Sequence, residues 1–289
     1  MWGRERTFCE TYFRHGTWRK VMNGNKPMVA MCPSTPEWQE KMIDSADRIL
    51  SYGADGVLYD IGGMGPVFCH DSRHPHANPS LAFATKRQNY RALRENIKRQ
   101  KPEAIIAMEH NVDIYGESMD LAQSGGSARP GKHAYPELYR YTFPELMVTN
   151  REAAEDERNY RDNIHFSLLY GLRFDMTIFR CQGELDDIPN YRDYLTKVTR
   201  MQLDYKDLLL NGRFVDNEGF TLDNAALRAK AYEGGGRLGV VIWNPTGEEQ
   251  PLSISAAGHT FAEAATPDGK LPGMPASVAA DSALLIVWE

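Results

Sequence analysis

Three things are scarce in this chain: long apolar runs, closely spaced cysteines and an excess of basic charge. No uninterrupted apolar stretch nears the roughly 18 residues that a membrane span requires, so no membrane partner is expected. The chain holds 33 Lys and Arg against 39 Asp and Glu, a net charge of -6. No basic stripe is available to neutralise phosphates, which argues against a nucleic-acid partner. The four cysteines are Cys9, Cys32, Cys69 and Cys181. They include no Cys-x-x-Cys pair, so neither a zinc ribbon nor a disulfide framework is indicated, and they read as reduced thiols. Residues 1–20 are studded with Arg and Glu and make no secretory signal. For a chain that starts at Met1, the cytoplasm is the default expectation.

What is present is an ordinary globular composition, 42% apolar and 25% charged over 289 residues, long for one domain and comfortable for two. Lys26 to Pro33 is a short apolar run closed by proline and reads as a strand. Ser34 or Thr35 then caps a helix with Pro36 in its first turn, and Trp38, Met42, Ile43, Ala46, Ile49 and Leu50 recur at helical spacing. Gly53 stops that helix, and Val57-Leu58 reads as a strand buried on both faces. Helices are expected over Leu81–Arg99, Ala153–Tyr170 and Tyr191–Leu210. Strands are expected near residues 28, 57, 105, 146, 177 and 214. Alternation of this kind implies parallel pairing and an α/β fold. After about Asp216 only short strand-like runs follow, broken by Gly234-Gly235-Gly236, Asn244-Pro245-Thr246-Gly247 and Pro267-Asp268-Gly269. The expected organisation is therefore an α/β domain over 1–217 and a small antiparallel β-sandwich over 218–289.

Two carboxylates stand at the ends of expected strands. Asp60 closes Val57-Leu58-Tyr59-Asp60 just before a glycine-rich loop, and Glu109 closes Ile105-Ile106-Ala107-Met108-Glu109. In an α/β barrel the C-terminal strand ends are where chemistry sits. The competing reading of Asp60 is a loop cap or an ion-pair partner, and of Glu109 a surface carboxylate. The long stretch from Ile61 to Pro79 has a length that usually serves function.

The segment Gly53-Ala54-Asp55-Gly56-Val57-Leu58-Tyr59-Asp60 resembles the G-x-D-G-x-x-x-D strand of barrel glycoside hydrolases, the retaining α-glycosidases that include α-amylase-like and α-galactosidase-like enzymes. Met31-Cys32-Pro33-Ser34-Thr35-Pro36-Glu37-Trp38-Gln39 is similar to a poorly characterised family of bacterial glycosidase-like proteins. The resemblance implies a (β/α) TIM-type barrel followed by a β-sandwich, with Asp60 as nucleophile and Glu109 as acid/base. It implies an enzyme that cleaves O-glycosidic bonds of a carbohydrate, with no cofactor. About six of the eight βα units are visible, so the barrel reads as incomplete, its first two units lying upstream. An open edge of that kind favours homo-oligomers. Tyr59, His70, Arg73, His76, His110, Asn111 and Asp113 are the candidates for holding the sugar, and Arg180 for keeping Asp60 ionised. Asp175 and Glu184 are the alternative acids.

Two further readings remain. His70, His74 and His76, with Asp71 and Asp60, could bind a divalent metal and make a metal-dependent hydrolase. The spacing His-x-x-x-His-x-His matches no defined site, so no metal ligand is assigned. The chain could also be a non-catalytic carbohydrate-binding relic of a hydrolase.

Overall fold

The computed structural model describes residues 21–23, 26–28, 31–60, 62, 68–109, 113–123, 135–154, 156–179 and 181–289. By compactness the chain forms two units, Met1–Ala122 and Gln123–Glu289.

In the first unit, β1 (Val21–Asn23) and β2 (Lys26–Met28) pair antiparallel, with Asn23 opposite Lys26. Of the expected strand at 26–33, Lys26–Met28 is an arm of this antiparallel pair, and Met31 forms only an isolated bridge. Helix α1 (Pro36–Ser51) starts with Thr35 as N-cap and Pro36 in its first turn. Gly53 adopts φ +87°, the left-handed stop that only glycine takes without strain. Strand β3 (Gly56–Tyr59) follows, then α2 (Leu81–Gln100) and β4 (Ile105–Glu109). The β3–β4 pair is parallel, Gly56 to Ile105 through Tyr59 to Met108, as the βαβ alternation demands. Strand β5 (Leu121–Gln123) spans the division between the units.

One contact fixes β4 against α2. Asp120 accepts the Ile106 amide at 3.0 Å, Arg94 at 2.8 Å and Lys98 at 2.9 Å. Burial raises its carboxyl, but these donors outweigh it and hold the group below the usual range.

The second unit carries α3 (Glu137–Thr142), β6 (Met147–Ala154), α4 (Tyr160–Leu169), β7 (Arg173–Ile178), α5 (Pro189–Asp204) and α6 (Lys206–Leu209). β6 and β7 pair parallel. Ala153 and Ala154 belong to the strand, so the expected helix begins seven residues late, at Tyr160. The expected helix to Leu210 breaks at Tyr205.

The antiparallel part comprises β8 (Arg213–Asp216), β9 (Thr221–Leu222), β10 (Arg228–Gly234), β11 (Arg237–Asn244), β12 (Gln250–Pro251), β13 (Ile254–Ser255), β14 (Phe261–Thr266), β15 (Gly269–Lys270), β16 (Ser277–Val278) and β17 (Ser282–Trp288). Its main sheet has the order β15-β14-β17-β11-β10-β8, with β12–β16 and β13–β9 as small sheets. β8 was expected as the last parallel strand; it pairs antiparallel with β10 instead. Val240, Ile242 and Ile286 are fully buried at its core, each such side chain contributing about 1.5–3 kcal/mol. Tyr232 ties this sheet to the α/β portion by donating to the Leu169 carbonyl at 2.7 Å. No helix among the described residues is long and apolar enough to cross a membrane.

His165, on α4, is buried completely, its Nε2 2.6 Å from the Tyr194 hydroxyl. Burial, aided by Arg161, pushes its pKa down to about 3 from 6.5. The unfolded chain therefore takes up this proton first. Stability is whole above about pH 6.5 and falls toward pH 3 by about 1.4 kcal/mol per pH unit. Thermal melts at pH 7 and pH 5 should show this loss, and His165→Gln should flatten it.

Candidate active site

Gly56 begins β3 directly against the Ile105 carbonyl, where a Cβ would collide with the oxygen. This close approach sets the register of the two parallel strands, whose last paired residues are Tyr59 and Met108. Asp60 and Glu109 each come next. Glu109 is the final residue of β4 and half-buried, while Asp60 lies in the turn after β3 and is exposed. Alternation along a strand separates the two faces. Val57, Ile106 and Met108 are buried. Leu58, expected to be covered on both faces, is 52% exposed, and Ala107 is half-buried. Continuing the alternation places Asp60 with Leu58 and Glu109 with Ala107, on the less covered face.

Tyr59 belongs to the opposite side. Its ring meets Tyr90 of α2 edge-on at 5.8 Å, and burial pushes its phenol up. The hydroxyl is buried without a hydrogen bond in the structure. The pleat thus turns Tyr59 to the face opposite Leu58. Tyr90 in turn meets Tyr115 at 5.0 Å. Lys86 Nζ lies 5.3–5.8 Å from the rings of Phe83, Tyr90 and Tyr115, and burial lowers it to about 8.

The other candidates divide. His70 is exposed. Asp113 is exposed at the start of a 3-10 turn, where its carboxylate accepts the Ile114 amide at 2.8 Å. Arg73 is engaged with Asp71, donating from Nε at 2.8 Å and from its own backbone amide at 2.9 Å. This holds the buried Asp71 carboxyl well below the usual range, despite its burial. His76 is drawn inward beside Cys32, Cys69 and His74. Arg73 and His76 both branch from a segment folded around buried Asp71 and Cys69, with the Arg73 side chain itself mostly exposed. His110, Asn111 and Arg180 lie outside the described residues. Asp175 accepts Gln123 at 2.7 Å, and Glu184 pairs with Asp187 in a capping box.

The metal reading from sequence joined His70, His74, His76, Asp71 and Asp60. The structure leaves His70 and Asp60 at the surface and brings two cysteines to His74 and His76 instead. Cys32 was missed because it stands 37 residues upstream of Cys69, and local spacing cannot see that contact. A groove of about 670 Å³ lies in the second unit between α5 and β14–β15, and none of the sequence candidates lines it.

A family model described as a domain of unknown function, DUF6259, matches residues 6–134. No curated protein matches the chain in sequence. Similar solved structures include an Anoxybacillus α-amylase (12% identity, 99% of this chain and 71% of that one, TM-score 0.61). Amy13B of Eubacterium rectale is another (11% identity, 91% and 65%, TM-score 0.64). The GH36 α-galactosidase AgaA of Geobacillus stearothermophilus is a third (10% identity, 99% and 41%, TM-score 0.58). The chain therefore has the fold of barrel glycoside hydrolases, as a partial parallel barrel followed by antiparallel sheets. It spans less than two thirds of the length of the second and third of these.

Gly56→Ala places a methyl group against backbone that has no rotamer to yield. It should cost about 2 kcal/mol or more, read as a lowered denaturation midpoint. An unchanged midpoint would mean that this contact does not set the register.

Proposed function

We propose that this chain carries the chemistry of a retaining glycoside hydrolase, with Asp60 as nucleophile and Glu109 as general acid/base on an O-glycosidic bond of a carbohydrate. The observation that supports it is the shared register of β3 and β4, after which the two carboxylates come at the same step. Neighbouring strands run about 4.8 Å apart. Carboxyls on such adjacent ends can come within the roughly 5–5.5 Å that retention uses, against the roughly 6.5–9.5 Å that leaves room for an inverting water.

Asp60 is exposed, as a group that must reach a substrate has to be, and Glu109 is half-buried. In the first step the Asp60 carboxylate attacks the anomeric carbon while Glu109 protonates the departing oxygen. In the second, Glu109 takes a proton from water, which releases the sugar from Asp60. The apolar rim at Leu58 and Ala107 offers the sugar ring a surface beside the carboxylates.

The test is a screen of α- and β-linked aryl glycosides, followed by the two single variants. Asp60→Asn should abolish turnover by at least about 1,000-fold. Glu109→Gln should lower it by about 100- to 10,000-fold, least for substrates with the best leaving groups. Asp60→Asn retaining more than a tenth of the activity would contradict the assignment. Sugar binding without cleavage by the unaltered chain would favour a non-catalytic binding protein.

A further inference from the structure

We infer that Cys32, Cys69, His74 and His76 form a structural zinc site that pins the loop after β3 to the segment leading into α1. The inference does not depend on the glycosidase reading. One ligand atom from each of the four residues lies within 4.8 Å of all the others. In a tetrahedral Cys₂His₂ zinc site, bonds of about 2.3 Å to sulfur and 2.0–2.1 Å to nitrogen put the ligand atoms roughly 3.3–3.8 Å apart. The Cys69 Sγ to His74 Nδ1 distance, 3.2 Å, is already close to that edge.

Burial makes the set hard to explain without an ion. Cys32 and Cys69 are both fully buried and His74 nearly so. Both ring nitrogens of His76 are buried and lack a hydrogen bond in the structure. A buried polar atom left without a partner costs about 1–3 kcal/mol, so such a ring is rarely kept without a purpose. A divalent cation binds one of those nitrogens directly. It also balances charge: two thiolates neutralise Zn²⁺, so the buried assembly carries no net charge.

The surroundings have the form that metal-bound histidine takes. His74 Nδ1 faces the cysteine, and its other nitrogen, Nε2, lies 3.6 Å from Asp71 Oδ2. That nitrogen has no hydrogen bond in the structure, and the carboxylate beside it is placed to accept one once a metal holds the ring. Arg73 clamps that carboxylate from outside. The backbone is arranged to match: Thr35 donates from both its amide and its hydroxyl to the Cys32 carbonyl, and the Cys69 amide donates to Pro79. The chemistry selects the metal and its role. Two thiolates with two imidazoles suit zinc, and a full set of four protein ligands leaves no open position for catalysis.

The experiment uses the whole chain, purified without chelators. Elemental analysis should find about one zinc per chain. Cys69→Ser and His76→Ala should each lose it, while Cys181→Ser, altered at an exposed cysteine outside the set, should keep it. Because a ligand variant could fail to fold, the unaltered chain is also stripped and reloaded with Co²⁺ under reducing conditions. The intense d–d and thiolate-to-cobalt bands of a tetrahedral sulfur-ligated ion should appear, and zinc should displace them. Stripping should lower the melting temperature by about 10 °C, restored by zinc. The inference is overturned if the chain binds no zinc and gives no cobalt–thiolate bands. It is equally overturned if mass spectrometry finds Cys32 and Cys69 joined as a disulfide, or if Cys69→Ser folds and keeps its metal.

Discussion

Gly56 lies so tightly against the Ile105 carbonyl that no side chain fits between them. Much of the first unit follows from that approach. It fixes β3 and β4 in one parallel register, which brings Asp60 and Glu109 to the same level at the strand ends. It also decides which residues meet the helices. Ile106 and Met108 are almost completely buried, and Tyr59 is turned toward Tyr90 of α2. The polar contacts reinforce the same arrangement, with Asp120 joining the β4 backbone to Arg94 and Lys98 of α2.

The long segment after β3 is held by a different kind of contact. Such segments at the C-terminal ends of barrel strands shape active sites, yet they lack the hydrogen-bond ladders that hold strands and helices. Here the described part, 68–80, is ordered by a buried carboxylate clamped by Arg73 and by a cluster of two cysteines and two histidines. A metal at that cluster would give an otherwise ladder-free segment a rigid anchor.

Local chemistry was readable from the sequence wherever it is set by near neighbours. The proline at the start of α1, the glycine stop at Gly53 and the carboxylates closing β3 and β4 all lie where their patterns imply. The fold class was readable for the same reason, since alternating strands and helices leave few topologies. What was hidden depends on distant pairing. Lys26–Met28 has the composition of a core strand but pairs with its neighbour Val21–Asn23. Phe214-Val215 looks like one more parallel strand until β10, far along the chain, takes it into the antiparallel sheet. Tyr59 sits beside Asp60 in sequence and on the opposite face in space, as the pleat requires. Cys32 and Cys69, 37 residues apart, form a set with His74 and His76 that no local spacing announces.

The central claim is that Asp60 becomes covalently bonded to the sugar during turnover. The direct measurement is trapping with a fluorinated, activated glycoside of whichever sugar the chain cleaves, followed by peptide mapping of the labelled protein. The account predicts one added glycosyl group per chain, on Asp60. A label on another carboxylate, or steady cleavage of the reagent with no trapped adduct, would contradict it.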